Sequence, residues 1–161
     1  MGLLGGINGA FFIGACVITV GLLLEIIGVS TEEWSVASIL HATLGLRKVC
    51  LDGECTSYRS RRAVLEVTEA FAILAILGTI ATLAIAVAYV TSFIMGTEKK
   101  FSLLVLVGVV AFFSLVCAVI SVSVYGSTFH PKNMDLGYSF ILTIVGGCLT
   151  ALGGVLSSLS A

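Results

Sequence analysis

Charge is scarce in this chain. Eight Lys and Arg and nine Asp and Glu make up 11% of 161 residues, against roughly a quarter in a typical soluble domain. That deficit excludes an ordinary soluble surface. A net charge of −1 gives no basic face for nucleic acid. Histidine is also rare. His41 and His130 stand far apart, and neither has Cys or acid neighbours at zinc-ligand spacing. Cys50 and Cys55 come close to a metal spacing, but no second pair completes a site. No Ser-His-Asp set is present. Gly146-Gly147 and Gly153-Gly154 lie in an apolar run without a basic residue, so they cradle no phosphate. These absences argue against an enzyme, a cofactor or a resident metal. There is one proline, Pro131. The N-terminus has no basic segment, and its apolar run is too long for a cleavable signal, so it reads as a retained first span. Met1-Gly2 would suit myristoylation, but position 6 is Gly6 rather than Ser or Thr.

Apolar sequence fills the space that charge leaves. Hydrophobic residues reach 58%, and mean hydropathy is +1.17. Four runs meet the roughly 20-residue length of a spanning helix. They extend from about Leu3 to Val29, Val64 to Met95, Phe101 to Val124 and Leu136 to Leu159. The chain therefore reads as one integral membrane domain over residues 1–161, mainly α, with a four-transmembrane-helix bundle in a lipid bilayer. A tight turn, Gly96 to Lys100, joins the second and third spans. A long loop of about residues 30–63 follows the first span, and a short one of about residues 125–135 follows the third.

The long loop holds the sharpest local signal, Val49-Cys50-Leu51-Asp52-Gly53-Glu54-Cys55. Asp-Gly favours a two-residue type I′ hairpin turn. With that turn, Leu51 faces Glu54, and Cys50 faces Cys55 on a non-hydrogen-bonded rung, where side chains lie closest. Such a pair meets the distance demand of a disulfide. The plain alternative is two free thiols in a loop. Ser35 to Leu46 reads as short strands, giving a small disulfide-clipped extracellular β-sheet from the first loop. The sheet is too small to stand alone and must rest on helix ends, where Trp34 suits an interface. Cys16, Cys117 and Cys148 lie in apolar runs and read as small packing residues.

Four spans put both termini on one side and both loops on the other. Basic residues complicate the orientation. The long loop carries Arg47, Lys48, Arg59, Arg61 and Arg62, while the small turn carries Lys99 and Lys100. Counted literally, the positive-inside rule points the long loop inward. A disulfide requires an oxidising compartment and points it outward, and the outward reading is adopted, with both termini cytoplasmic.

Within the membrane, small residues permit close helix contact. Gly6, Ala10 and Gly14 recur at four-residue spacing in the first span, as do Gly146, Thr150 and Gly154 in the fourth. Packing inside one bundle is the plain reading; pairing with a neighbouring protein is the other. Glu25 is the one acid deep in an apolar run. Near the loop-side end of its span, it reads as a carboxyl that reaches the interface or bonds to a neighbouring helix, ahead of an ion-handling role.

Trp34, then Gly45-Leu46, then Cys50 and Cys55 resemble the loop motif of the claudin and peripheral-myelin-protein superfamily. Arg62 resembles the basic residue members place before the second span. Phe129-His130-Pro131 is similar to an aromatic-x-x-Pro patch of claudins with one residue missing, and Asp135-Leu136-Gly137-Tyr138 opens the fourth span in a similar way. Three departures stand out. Arg47 replaces the Trp of Gly-Leu-Trp, the gaps between Trp34 and Gly45 and between the cysteines are short, and the tail that carries a scaffold-binding motif is missing. The resemblance also places the long loop outside. It implies a plasma-membrane protein at cell–cell junctions that self-associates in one membrane and across two, making or regulating a paracellular barrier. Phe129, His130 and Pro131 would then touch the opposing cell. Arg47, Lys48, Arg59, Arg61 and Arg62 would line any pore, unless they form a self-neutralising loop face with the nearby acids. The stargazin-like branch of the superfamily implies instead a regulatory subunit partnered with an ion channel, and the myelin- or lens-type branch a membrane adhesion protein.

Overall fold

The computed structural model describes residues 9–37, 42–51, 54–57, 63–96, 100–128 and 135–159. Four long helices account for most of it: α1 (Gly9–Ser30), α2 (Ala63–Ile94), α3 (Lys100–Thr128) and α4 (Tyr138–Ser158). All four are long and apolar enough to cross a membrane. The bundle is closed as a ring in which α1 packs on α2 and α4, and α3 on α2 and α4.

A seven-residue period organises every helix. The buried positions of α1 are Phe11, Gly14, Ile18, Gly21, Glu25 and Gly28. Their spacing alternates three and four. On α2, Leu65, Thr68, Ala72, Ala75, Thr79, Thr82, Ala86 and Tyr89 repeat the pattern. On α3, Leu104, Val107, Ala111, Ser114, Ala118, Ser121 and Tyr125 continue it. On α4 it runs Ser139, Thr143, Gly146, Thr150, Gly153 and Ser157. A strict heptad is the signature of left-handed helix packing. The seams are filled with Gly, Ala, Ser and Thr because lipid offers large apolar side chains as good an environment as the bundle does. Large residues such as Ile13, Leu77, Val109 and Phe112 accordingly stand exposed on the outer faces.

At one end of the bundle sits a five-stranded antiparallel sheet built from β1 (Ser35–Ala37), β2 (Ala42–Leu44), β3 (Lys48–Leu51), β4 (Glu54–Ser57) and β5 (Asp135–Leu136), in the order β4-β3-β2-β1-β5. The first loop supplies four strands. The fifth comes from the second loop, which the sequence did not suggest, and pairs Ser35 with Leu136. Two further boundaries differ from the sequence expectation. The third span continues past Val124 to Thr128, so Tyr125 lies in a helix rather than a loop. The fourth helix starts at Tyr138, after β5, rather than at Leu136. Helical propensity accounts for neither shift. Both follow from the sheet, which needs Tyr125 beneath it and Leu136 beside it.

Candidate functional site

The sheet end is where the motif residues meet. Trp34 follows α1 directly and is fully buried. It sits at the helix ends beneath the sheet and plugs the mouth of the bundle. Its indole N–H donates to Gly28 O at 2.9 Å, satisfying a carbonyl in the last turn of α1. Its ring meets Tyr125 at 5.1 Å and Phe140 at 6.2 Å, both edge-on, the arrangement that aromatic quadrupoles favour. Leu46, Leu65 and Val122 complete the cluster.

Gly45 and Leu46 divide their work. A Cβ on Gly45 would sit 2.8 Å from the Glu32 backbone, so only glycine allows β2 to turn back so closely. Leu46 goes under the sheet into the Trp34 cluster. Arg47 stands where the resembled motif has Trp. It turns outward, and both Nε and Nη2 lie 2.6 Å from Glu69 Oε1 on α2. Lys48 Nζ lies 3.2 Å from Glu32 Oε1. Each cation thus has an acid beside it, and both border a cavity of about 290 Å³ that Glu32 also lines.

Backbone bonds tie the platform down. Trp34 N–H donates to Leu44 O, Gly137 N–H to Trp34 O and Ser139 N–H to Glu33 O. Gly137 abuts the Glu33 carbonyl with no room for a side chain. Tyr125 Oη donates to Ser35 Oγ at 3.1 Å. Helices α1, α3 and α4 all therefore hold β1.

Cys50 and Cys55 face each other in the β3–β4 register and are joined in a disulfide, with Cα atoms 4.0 Å apart. The rung matches the hairpin read from the sequence. Glu32 Oε2 lies 3.0 Å from Cys50 Sγ, but with both sulfurs bonded to each other this group offers a metal only one carboxylate. All four residues of β4 are exposed at the sheet margin. The other cysteines divide. Cys117 is buried in a seam, whereas Cys16 and Cys148 are exposed on the bundle's outer surface instead of packing within it.

The small residues are placed as follows. Gly14 abuts Gly153 and Ser157, and Gly146 abuts Gly21 and Glu25, all across the α1–α4 seam; Gly154 abuts Ala111 of α3. Thr150 is fully buried, and Ala10 is exposed. The seven-residue set Gly14, Gly21 and Gly28 is what aligns α1 on α4, a signal that a search at four-residue spacing passes over. Gly6, Asp52, Gly53, Arg59, Arg61, Arg62, Phe129, His130 and Pro131 lie outside the described residues.

Residues 8–157 match the sequence profile of the PMP-22/EMP/MP20/Claudin family. Among curated proteins the chain is similar to epithelial membrane protein 1 of Mus musculus, with 31% identity over 134 residues. That match covers 76% of this chain and 79% of the relative. The Rattus norvegicus protein of the same name is 32% identical over 133 residues and the Oryctolagus cuniculus one 31% over 132, with the same coverage.

Proposed function

The chain belongs to the PMP-22/EMP/MP20/Claudin family of membrane proteins, and from that membership we propose that it is a contact protein of cell–cell junctions. It self-associates within one membrane and across two, and thereby makes or regulates a paracellular barrier. The observation that carries this reading is the pairing of β5 with β1. It joins the second loop to the disulfide-clipped sheet as one platform. Phe129, His130 and Pro131 fall in sequence between α3 and β5 and are the residues proposed to meet the opposing cell. The relatives' name, epithelial membrane protein 1, fits a role in sheets of adjoining cells.

The platform faces outward in this reading, with both termini cytoplasmic. The disulfide supports it, because such bonds persist in oxidising compartments. The basic residues of the first loop do not count against it as heavily as their number suggests. Arg47 and Lys48 are matched by Glu69 and Glu32, which weakens their pull toward the cytoplasm. The same pairing favours a barrier over a charge-selective pore, since a selective pore needs an unbalanced ring of one sign.

The test is expression of the full chain in cells that lack adhesion. Enrichment at cell–cell contacts is expected, and Phe129→Ala with Pro131→Ala should weaken it without lowering surface delivery. Uniform surface staining would overturn the reading.

A further inference from the structure

Glu25 occupies a place in α1 where the heptad otherwise sets a large apolar residue. Phe11, Ile18 and Glu25 alternate with Gly14, Gly21 and Gly28. An aliphatic side chain would complete the seam. Instead a carboxyl, 1% exposed, enters the middle of the bundle.

The groups around it are all uncharged. Glu25 Oε2 lies 2.9 Å from Thr79 Oγ1 of α2. Thr79 Oγ1 lies 2.8 Å from Ser114 Oγ of α3, and Ser114 Oγ lies 2.6 Å from Ala75 O of α2. Thr79 Oγ1 also approaches Ala75 O at 3.1 Å and Thr150 Oγ1 of α4 at 3.5 Å. On α4 the carboxyl meets Gly146 and Gly147. No Lys, Arg or His occurs in α1, α2 or α4. In α3 there is only Lys100, fourteen residues and roughly 20 Å of helix from Ser114. The nearest acid on α2 is Glu69, ten residues and roughly 15 Å from Thr79.

Counting protons decides the state of the carboxyl. Three short oxygen–oxygen contacts form the run from Glu25 to Thr79, Ser114 and Ala75 O. Each hydroxyl brings one proton, and a backbone carbonyl brings none. An ionised glutamate leaves two protons for three contacts, so one pair of oxygens would face each other bare. A protonated glutamate supplies the third. Glu25 then donates to Thr79, Thr79 to Ser114 and Ser114 to Ala75 O, all in one direction. The other carboxyl oxygen gives a second, independent indication. Glu25 Oε1 is buried and has no hydrogen-bond partner among the described residues. As part of a carboxylate it would carry charge with no donor to meet it, which is far costlier than an unpaired neutral carbonyl oxygen.

We propose that Glu25 is a proton-binding site of the bundle: its carboxyl holds one proton at the head of a hydrogen-bond chain across α1, α2 and α3, and loss of that proton unlocks α1 beneath the sheet. The link to the sheet is short. Gly28, three residues further along α1, accepts the Trp34 indole N–H. A shift of α1 therefore reaches β1 directly.

The experiment is infrared spectroscopy of the purified full chain in lipid, with ¹³C-glutamate labelling to mark the carbonyl bands. At neutral pH one isotope-shifted carboxylic-acid band is expected, moving again in D₂O and absent in Glu25→Gln. Thr79→Val should move that band to higher frequency by removing its acceptor, which keeps the test valid if Glu25→Gln fails to assemble. At alkaline pH the band should fade together with a change in Trp34 fluorescence. A spectrum with no acid band at neutral pH, or a band that Thr79→Val leaves in place, would overturn the proposal.

Discussion

Adding one methyl group at Gly21 should destabilise the bundle, whereas adding the same group at Gly108 should not. Both glycines are helical, so the backbone gain from Gly to Ala is common to the two and cancels in their difference. What remains is packing. A Cβ on Gly21 would lie 2.6 Å from Thr150 Oγ1, 2.8 Å from Gly146 O and 3.0 Å from Thr150 N, two of the three being backbone atoms of α4. The clash cannot be relieved by a rotamer; the helices must separate. A gap of roughly 0.5–1 Å forfeits about a quarter to a half of the dispersion energy along a seam, and overpacking of this kind costs about 1–3 kcal/mol. On Gly108 the added carbon would meet Ser158 at 3.5–3.6 Å, ordinary contact. Gly21→Ala should therefore be less stable than Gly108→Ala by about 1–3 kcal/mol, a difference of roughly 5- to 140-fold in the unfolding equilibrium. Reversible denaturation with SDS in mixed micelles, followed by the fluorescence of the chain's one tryptophan, measures it. Equal stability of the two variants would refute close backbone contact between α1 and α4.

Two further outcomes follow from the sheet end. Trp34→Phe keeps an aromatic ring but removes the indole donor from Gly28 O, leaving it the longer approach of Thr31 Oγ1 at 3.4 Å. It should cost about 1 kcal/mol for the hydrogen bond and about 1 kcal/mol more for the smaller ring, read by circular dichroism in the same titration; wild-type stability would refute the plug. A membrane-impermeant thiol reagent applied to intact cells should label Cys50 and Cys55 only after reduction, and labelling without reduction would overturn both the bridge and the outward orientation.

The spans and the hairpin were legible because their causes are local. Runs of about twenty apolar residues mark the helices, and Asp52-Gly53 sets a register in which Cys50 must face Cys55. The β1–β5 pair was not legible. It joins Ser35 and Val36 to Leu136 and Asp135 across about a hundred residues of chain, and two residues carry too little pattern to announce a strand. Tyr125 was read as loop for a related reason, since its task is to cap the sheet from below. The helix seams were legible only in part. Gly14, Gly146 and Gly154 stand out at four-residue spacing, but the register is set by a seven-residue period in which Gly21, Gly28, Thr143 and Ser157 matter equally. Glu25 illustrates the remaining limit. Sequence shows an acid in an apolar run, but only the assembled bundle shows the three hydroxyls and one carbonyl around it.

The two kinds of seam give the molecule two unequal halves. Across α1–α4, backbone meets backbone at Gly14, Gly21 and Gly28, where the facing side chains are the short Ser157, Thr150 and Thr143. Trp34 is bonded to Gly28 of α1, and Gly137 and Ser139 at the start of α4 are bonded to Trp34 and Glu33. Strand β1 therefore moves with the α1–α4 pair as one body. The α2–α3 pair is joined internally by hydroxyls, with Ser114 on Ala75 O and Ser121 on Thr68 O. It reaches the other half through Ala111 and Ala118 against Gly154 and Gly147, through Tyr125 against Trp34 and Ser35, and through two polar links, Arg47 with Glu69 and the chain at Glu25. Interhelical hydrogen bonds of this kind contribute only about 0.6 kcal/mol each in membranes, and the exposed Arg47 adds less than about 1 kcal/mol. The glycine seam is thus the stiff element and the polar contacts are the yielding ones. Any displacement of the sheet relative to the membrane should occur between these halves, with Glu25 at the contact where the change of a single proton alters the bonding.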